Sequence, residues 1–167
     1  MTIWQEHKIS VLRDNNLLII QLGDIELGDI ICSNMSTSKV LFTYKFNSSR
    51  LLYRINNLIV SPNTLIPCIE NVNVSNSVIY KKAKDINIQD SILLYNDSLE
   101  PVILKEYFIG KSIYVLTENG QITINNYSIP CYTNSFKQRF KMKPIRAIAK
   151  KSKLLANQKL YPLKSIF

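Results

Sequence analysis

The sequence predicts an all-β domain of short strands, followed by a basic and partly helical C-terminal extension. Segments rich in β-branched and aromatic residues follow one another at short intervals up to residue 130, and several alternate with a period of two. Polar clusters rich in Asn, Asp and Ser separate these segments. Charge supplies the third observation, because residues 136–167 contain Lys and Arg but no acidic residue.

The predicted strands are residues 8–12, 17–21, 30–32, 39–46, 51–55, 58–61, 78–82, 91–95, 102–109, 112–117, 121–124 and 127–130. Turn signals lie between them at 14–16, 47–49, 56–57, 96–98, 118–120 and 125–126. This spacing is typical of a barrel, a sandwich or a more irregular β domain. Helical periodicity is convincing only at 145–158, where Pro144 suits a first helical turn.

We predict that residues 136–167 form a docking arm on a domain of residues 1–135. The domain has 11 Lys and Arg against 12 Asp and Glu, whereas the arm has 10 Lys and Arg. Such a segment can follow nucleic acid phosphates, an anionic membrane surface or an acidic protein groove. Interleaved apolar residues favour packing against a partner protein while the lysines stay in water. The predicted partner-binding residues are Lys137, Arg139, Lys141, Lys143, Arg146, Lys150, Lys151, Lys153, Lys159, Phe136, Phe140, Leu154 and Leu155.

The cysteines and the histidine exclude most metal and catalytic sites. Cys32, Cys68 and Cys131 are far apart, form no CxxC pair and lack zinc-site spacing, so we expect reduced thiols. The single histidine, His7, excludes any site that needs two imidazoles, and we expect it at the surface. No phosphate-binding loop, dinucleotide-binding glycine pattern or Ser–His–Asp set is visible. We therefore predict no cofactor, no metal and no small-molecule substrate.

Two smaller clusters leave alternatives open. Asp24, Glu26 and Asp29 share one turn and could bind a cation, although capping of backbone amides is the commoner use of such residues. The basic cluster at residues 81–84 could contact nucleic acid together with the arm.

Targeting signals are not visible in the sequence. No apolar run approaches the roughly 20 residues that span a bilayer, and the first residues lack the apolar segment of a signal peptide. We expect a protein of the cytoplasm or of a virion that is not secreted and does not span a membrane.

Four stretches, in the right order, resemble the Hedgehog/intein (Hint) family. Residues 8–15 and 23–31 are similar to its opening strand and its D-L-x-x-G-D-x-V element. Residues 57–67 resemble L-x-V-T-x-x-H-x-I, and residues 83–94 repeat the Gly-Asp element with Gln89 in place of Gly. Residues 114–132 resemble the Hedgehog-type ending Y-x-P-L-T-x-x-G-x-I-x-V-N-x-V-x-x-S-C-Y. The resemblance implies a Hint-like β domain, and the repeated element suits a fold of two related halves.

The resemblance also implies where self-cleavage residues would lie. In the family an N-terminal Cys or Ser attacks the preceding carbonyl, while Thr and His of T-x-x-H polarise the peptide and protonate its nitrogen. Here Ile3 or Trp4 falls at the nucleophile position. Ser61 matches the Thr, Thr64 matches the His, and Cys131 matches the cysteine of the ending. We regard these positions as vestigial and predict that the protein is not an enzyme.

Our first hypothesis is therefore a non-enzymatic structural or interaction protein, held in a larger capsid-like assembly of other proteins by its arm. The skew toward Ile, Asn, Lys and Tyr, with four Gly, is what A/T-rich coding produces, and it suggests a minor capsid or virion protein of a large DNA virus. Two alternatives remain: a nucleic-acid-binding protein that uses the arm, and residual autoprocessing that depends on Cys131.

Overall fold

The computed structural model describes residues 1–33, 37–69 and 78–131. These residues form fifteen short strands and two single-turn 3₁₀ helices, Leu22–Asp24 and Ala83–Asp85, and none of them lies in an α-helix. In chain order, β1 to β15 are Ile3–Trp4, Lys8–Arg13, Asn16–Gln21, Ile30–Cys32, Thr37–Lys45, Arg50–Ile55, Leu58–Val60, Leu65–Ile69, Val78–Lys82, Ser91–Leu93, Leu99–Pro101, Lys105–Gly110, Ser112–Thr117, Gln121–Ile124 and Tyr127–Pro130. No helix in this described part is long and apolar enough to cross a membrane.

The all-β prediction is confirmed, and each predicted strand has a counterpart. Strands 30–32, 78–82, 112–117, 121–124 and 127–130 have the predicted bounds. Three short strands, β1, β8 and β11, were not predicted. The helix predicted at 145–158 and the whole arm lie outside the described residues.

The predicted strand 102–109 is wrong at its beginning, and Asn56 is the reason. The Asn56 side chain accepts hydrogen bonds from the backbone N–H groups of Ile103 (3.0 Å) and Leu104 (3.1 Å) and donates one to the Pro101 carbonyl (2.9 Å). The buried Asn56 side chain thus satisfies the N–H and C=O groups that would otherwise form hydrogen bonds with a neighbouring strand. The chain leaves β10 of the four-stranded sheet after Pro101 and begins pairing with β6 of the nine-stranded sheet at Lys105.

Strands from the two halves of the chain are interleaved in one large sheet. The nine-stranded sheet has the order β12-β6-β7-β1-β13-β5-β4-β2-β3, and a four-stranded sheet has the order β11-β10-β8-β9. The strand β5 of the first half pairs with β13 of the second, and β6 of the first half pairs with β12. β1 joins the two halves at the centre, because it pairs with both β7 and β13. A hairpin of β14 and β15 completes the described fold.

Each half repeats the same local arrangement. In the first half, β2 lies between β3 and β4, and β4 continues to β5; in the second, β8 lies between β9 and β10, and β10 continues to β11. A 3₁₀ turn precedes β4 and β10, and each turn directs one isoleucine, Ile25 or Ile86, into the core. The core is mostly aliphatic, and its largest completely enclosed members are Tyr127, Ile3, Leu22, Ile25, Leu52, Ile55, Leu58, Ile66, Ile86, Ile92, Ile113 and Leu116.

Asparagine and aspartate occupy most of the positions where the backbone is left-handed, because the chain has only four glycines. Every non-glycine residue with positive φ in the described part is Asn or Asp, whose short polar side chains tolerate this region. Two hairpins turn on adjacent pairs of this kind, as expected where both central residues need φ above zero. The residues are Asp14, Asn15, Asn56, Asp97, Asn125 and Asn126.

Candidate functional site

The first two residues are held against the turn that follows β7. The Thr2 N–H donates to Ser61 Oγ at 3.0 Å, and the Thr2 carbonyl accepts from the Ser61 N–H at 2.8 Å. Ser61 Oγ lies 2.8 Å from Thr64 Oγ1, which also donates to the Thr2 carbonyl at 3.5 Å. The turn is tight because the Thr64 N–H bonds back to the Ser61 carbonyl at 3.0 Å. Thr2 and Thr64 are both buried, so these hydrogen bonds are shielded from water.

Cys131, at the end of the described chain, reaches the same region. Its side chain is completely buried and its Sγ lies 3.5 Å from Thr117 Oγ1, while its N–H donates to the Gly120 carbonyl at 2.8 Å. Burial lowers the pKa of the Met1 amino group to about 6, and the nearby Cys131 thiol opposes that shift. The structure therefore brings Ser61 and Thr64 together at Thr2, while Cys131 contacts Thr117 and lies near the Met1 amino group.

The residue that contacts Ser61 and Thr64 is Thr2, whereas the resemblance had pointed to Ile3 or Trp4 as the matching position. Ile3 is completely buried in the ladder, where it pairs with Ile113 and with Val60, so it belongs to the core. The N–H that donates to Ser61 Oγ and the carbonyl that accepts from Thr64 Oγ1 both belong to Thr2, which carries a hydroxyl. The sequence alone does not place Thr2 at this point. β1 has only two residues and an irregular turn separates it from β2, so no periodic pattern marks the register of β1.

His7 is buried, which contradicts the expectation of a surface histidine. Its Nε2 accepts a hydrogen bond from the Ile59 N–H at 2.9 Å, and its ring packs edge-on against Trp4 at a centroid distance of 5.4 Å. Its Nδ1 lies 3.5 Å from Asn125 Nδ2. Burial lowers the pKa of His7 to about 4, so the ring is neutral near pH 7. The imidazole contacts the Ile59 backbone and the Asn125 side chain, so it serves the fold as a hydrogen-bond acceptor for the Ile59 N–H.

The two smaller clusters are engaged inside the fold. Both Asp29 carboxylate oxygens accept hydrogen bonds from Arg13, at 2.8 and 2.7 Å, and one also caps the Glu26 N–H at 2.8 Å. Within the basic cluster, Lys81 Nζ lies 3.0 Å from both carboxylate oxygens of the buried Asp90. Lys81 is thus already neutralised, which reduces the basic surface expected at residues 81–84. No group of three metal-ligating side chains occurs in residues 1–33, 37–69 and 78–131.

The arm residues predicted to bind a partner all lie outside the described residues. Within the described site, sequence reasoning missed Thr2 and Thr117. Thr117 is completely buried, and its hydroxyl contacts Asn119 Oδ1 at 3.0 Å, the Gln121 carbonyl and the Cys131 thiol. A signal for it was present in the Leu-Thr-x-x-Gly part of the 114–132 stretch, which places this threonine before the turn to β14.

Chemically, the arrangement binds a peptide segment but offers little means of proton transfer. Its contacts with Thr2 are a backbone N–H and two hydroxyl groups, all of which are neutral hydrogen-bonding groups near pH 7. Ser61 Oγ accepts from the Thr2 amide, so in this geometry it holds the amide hydrogen rather than delivering a proton to the nitrogen.

Comparison with known proteins identifies the fold. No protein-family profile and no curated protein sequence matches the chain. Among solved structures, an engineered variant of the gp41-1 intein matches with a TM-score of 0.58 and 12% identity, over 77% of this chain and 98% of that one. The gp41-1 intein itself gives a TM-score of 0.56 at 13% identity, with 78% and 98% covered. A selenomethionine variant of the VidaL intein gives 0.56 at 10% identity, with 77% and 95% covered.

Identities this low establish the fold alone, and they agree with the stretches quoted from the sequence. The interleaved halves, the repeated turn and the nearly complete coverage of the inteins lead to one conclusion: the chain contains a Hint-like domain.

Proposed function

We propose that this Hint-like domain does not process itself and acts as an interaction module, anchored in a larger assembly by its basic arm. The observation that carries the proposal is a pair of hydroxyl groups at Thr2: Ser61 Oγ accepts from the Thr2 N–H, and Thr64 Oγ1 contacts Ser61 Oγ and the Thr2 carbonyl. An acyl shift at Thr2 needs a group that protonates the departing amide nitrogen. A threonine hydroxyl at position 64 does not titrate near neutral pH, and the neutral His7 ring is occupied by the Ile59 N–H.

The second candidate is residual autoprocessing that depends on Cys131. The nearness of Cys131 to the Met1 amino group, next to Thr2, favours it, because a thiol and a hydroxyl are both possible nucleophiles. Complete burial of Cys131 counts against it, since a reactive thiol needs access and a stabilised thiolate.

Intact-mass analysis of the full chain fused behind a small folded protein separates these candidates. We expect one species of the fusion mass after prolonged incubation, with or without dithiothreitol. Thiol-dependent fragmentation next to Thr2 would overturn the inactive assignment. Matched Thr2→Ala and Cys131→Ala fusions identify the nucleophile if fragments form, because only loss of the reacting group abolishes them.

For the arm, we propose contact with another protein of a large assembly, and a virion of a large DNA virus as its setting. Charge and apolar residues interleaved in 136–167 support the contact, and the compositional skew supports the setting. Lysine cross-linking of the native assembly tests both: cross-links from residues 137–164 to defined proteins are expected. Nuclease-sensitive release without protein cross-links would establish the nucleic-acid alternative instead.

A further inference from the structure

The strand β3 is an outer strand without the features that normally protect a sheet edge. It ends the order of the nine-stranded sheet, so among the described residues its outer side has no strand partner. Its sequence, Asn16 to Gln21, contains four aliphatic residues and no charge. Leu17 is 68% exposed and Ile19 is 74% exposed, so aliphatic surface accompanies the free backbone groups. An uncharged, apolar edge of this kind is a template for another strand.

The other outer strands of the two larger sheets provide an internal comparison. β12 contains Lys105 and Glu106 and ends at Gly110, and β9 contains two lysines. β11 is three residues long and ends at Pro101. Charges, proline and short length are the usual protections against edge pairing. β3 alone among these four outer strands lacks all of them, which indicates that this edge has a use.

We propose that β3 is a self-association edge, on which a second copy of this chain pairs its own β3 in antiparallel register. With a two-fold axis perpendicular to the sheet, the two sheets are continuous, the same face of each sheet points in the same direction, and identical strands pair. With the axis at Leu18, Leu17 of one copy lies opposite Ile19 of the other, and the reverse pair forms on the far side of the axis. The two most exposed aliphatic side chains of each β3, Leu17 and Ile19, then cover those of the other copy.

Charge also favours a second copy as the occupant. The domain of residues 1–135 has 11 Lys and Arg against 12 Asp and Glu, so two copies of it carry almost no net charge to repel each other. β3 is uncharged along its whole length, and its free backbone groups match those of an identical antiparallel strand. Pairing there would join two nine-stranded sheets edge to edge through strands that carry no charge.

Sedimentation velocity on the full chain tests the proposal. We expect a monomer–dimer equilibrium in a series that reaches about 200 µM, because pairing along one strand buries little area and gives micromolar affinity. Ile19→Lys should weaken the dimer at least about tenfold, since it places two lysines beside the axis. Ile109→Lys is the matched control, because Ile109 is also 74% exposed but lies on β12; this variant should dimerise like the wild type.

Salt and an engineered disulfide separate this contact from association through the arm. The β3 dimer should persist in about 0.5 M salt, because it involves no charges, whereas charge-mediated association weakens. In a Cys32→Ser background, Leu18→Cys should form an intermolecular disulfide, because residues on the axis face each other at about 4.5–5.5 Å between Cα atoms. Ile109→Cys should not. A monomer throughout the concentration series, or equal weakening by Ile19→Lys and Ile109→Lys, would overturn the proposal.

Discussion

Asp29 and Asp90 occupy the same position in two copies of one turn, one in each half of the chain. Each buried carboxylate accepts the backbone N–H of the residue three positions earlier, Glu26 or Asn87, at 2.8 Å. Each also pairs with a cation, but Arg13 comes from β2 and Lys81 from β9, which are not equivalent strands. The hydrogen bond that caps the turn is thus the same in both halves, whereas the cation that neutralises the carboxylate comes from a different strand in each half.

Loss of either carboxylate should destabilise the domain. Asp29→Asn removes the negative charge that pairs with Arg13, and Asp90→Asn removes the one that pairs with Lys81. We expect the free energy of unfolding to fall by about 2 kcal/mol in each variant. Urea unfolding at pH 7 measures this. Asp24→Asn is the matched control in the same turn, because the Asp24 side chain is exposed; an equally large loss there would contradict the assignment.

Alanine substitutions at Gly28 and Gln89 should have unequal effects, although the two residues align in the repeated turn. Gly28 has φ +98°, a conformation that a side chain strains, and an added Cβ meets no atom within 4 Å. Gly28→Ala should therefore cost about 1–2 kcal/mol through the backbone alone. Gln89 does not have positive φ, so Gln89→Ala should change the unfolding free energy by less than about 0.5 kcal/mol. Equal thermal shifts would refute this explanation of the missing glycine.

The buried His7 should make the fold sensitive to mild acid. Its folded pKa of about 4 lies below the unfolded value of 6.5, so the unfolded state binds the proton first. Stability should fall as pH drops from 6.5 to 4, by a total of about 3 kcal/mol. His7→Gln keeps an acceptor for the Ile59 N–H but does not titrate, so its unfolding free energy should stay flat through this window. Denaturant titrations at pH 7, 6 and 5 check both variants.

A second acid-sensitive step should follow at lower pH. Burial alone would raise the pKa of Asp29, but hydrogen bonds from Arg13 and the Glu26 amide, together with the Arg13 charge, lower it overall. Its contribution is present above the unfolded value and is lost as pH falls through the depressed one, so this step lies below about pH 3.8. In an Asp29→Asn variant this low-pH part of the profile should be shallower, and unchanged steepness would argue against the assignment.

Asn56→Ala should be more damaging than its neighbour Asn57→Ala. The Asn56 side chain bonds to Pro101, Ile103, Leu104 and Glu100, whereas Asn57 is exposed. Loss of these buried contacts should cost about 2–4 kcal/mol, against less than about 0.5 kcal/mol at Asn57. Thermal unfolding of the two variants provides the measurement, and similar melting temperatures would contradict the role given to Asn56.

The strands that could be predicted are those whose own residues carry the pattern. β13 and β15 were predicted to the residue because they are long enough to show β-branched or aromatic enrichment between clear turns. β8 was missed because Pro67 normally argues against an inner strand; here β10 pairs only with Cys68 and Ile69, so Pro67 has a neighbour on one side only. The break before β12 depended on Asn56, a residue far away in the sequence.

The sequence predicted several residues of the site, but it did not predict where all of them lie. Ser61, Thr64 and Cys131 were named from the resemblance; the Ser61 and Thr64 hydroxyl groups lie 2.8 Å apart, and Cys131 contacts Thr117 instead. Thr2 was missed because the register of a two-residue strand depends on pairing with β7 and β13, which no local pattern encodes. His7 was misplaced because burial of a lone imidazole depends on a distant N–H, that of Ile59, to satisfy it.

The exchange of strands between the two halves has a consequence for synthesis. β1 and β5 leave the ribosome long before β13, the strand that lies between them, has been translated. Until residue 117 emerges, the nascent chain therefore carries two strand edges without their native partner, and unpaired edges of this kind favour aggregation. Premature termination before residue 112 should yield an aggregation-prone fragment that is rapidly degraded, and not a smaller stable domain.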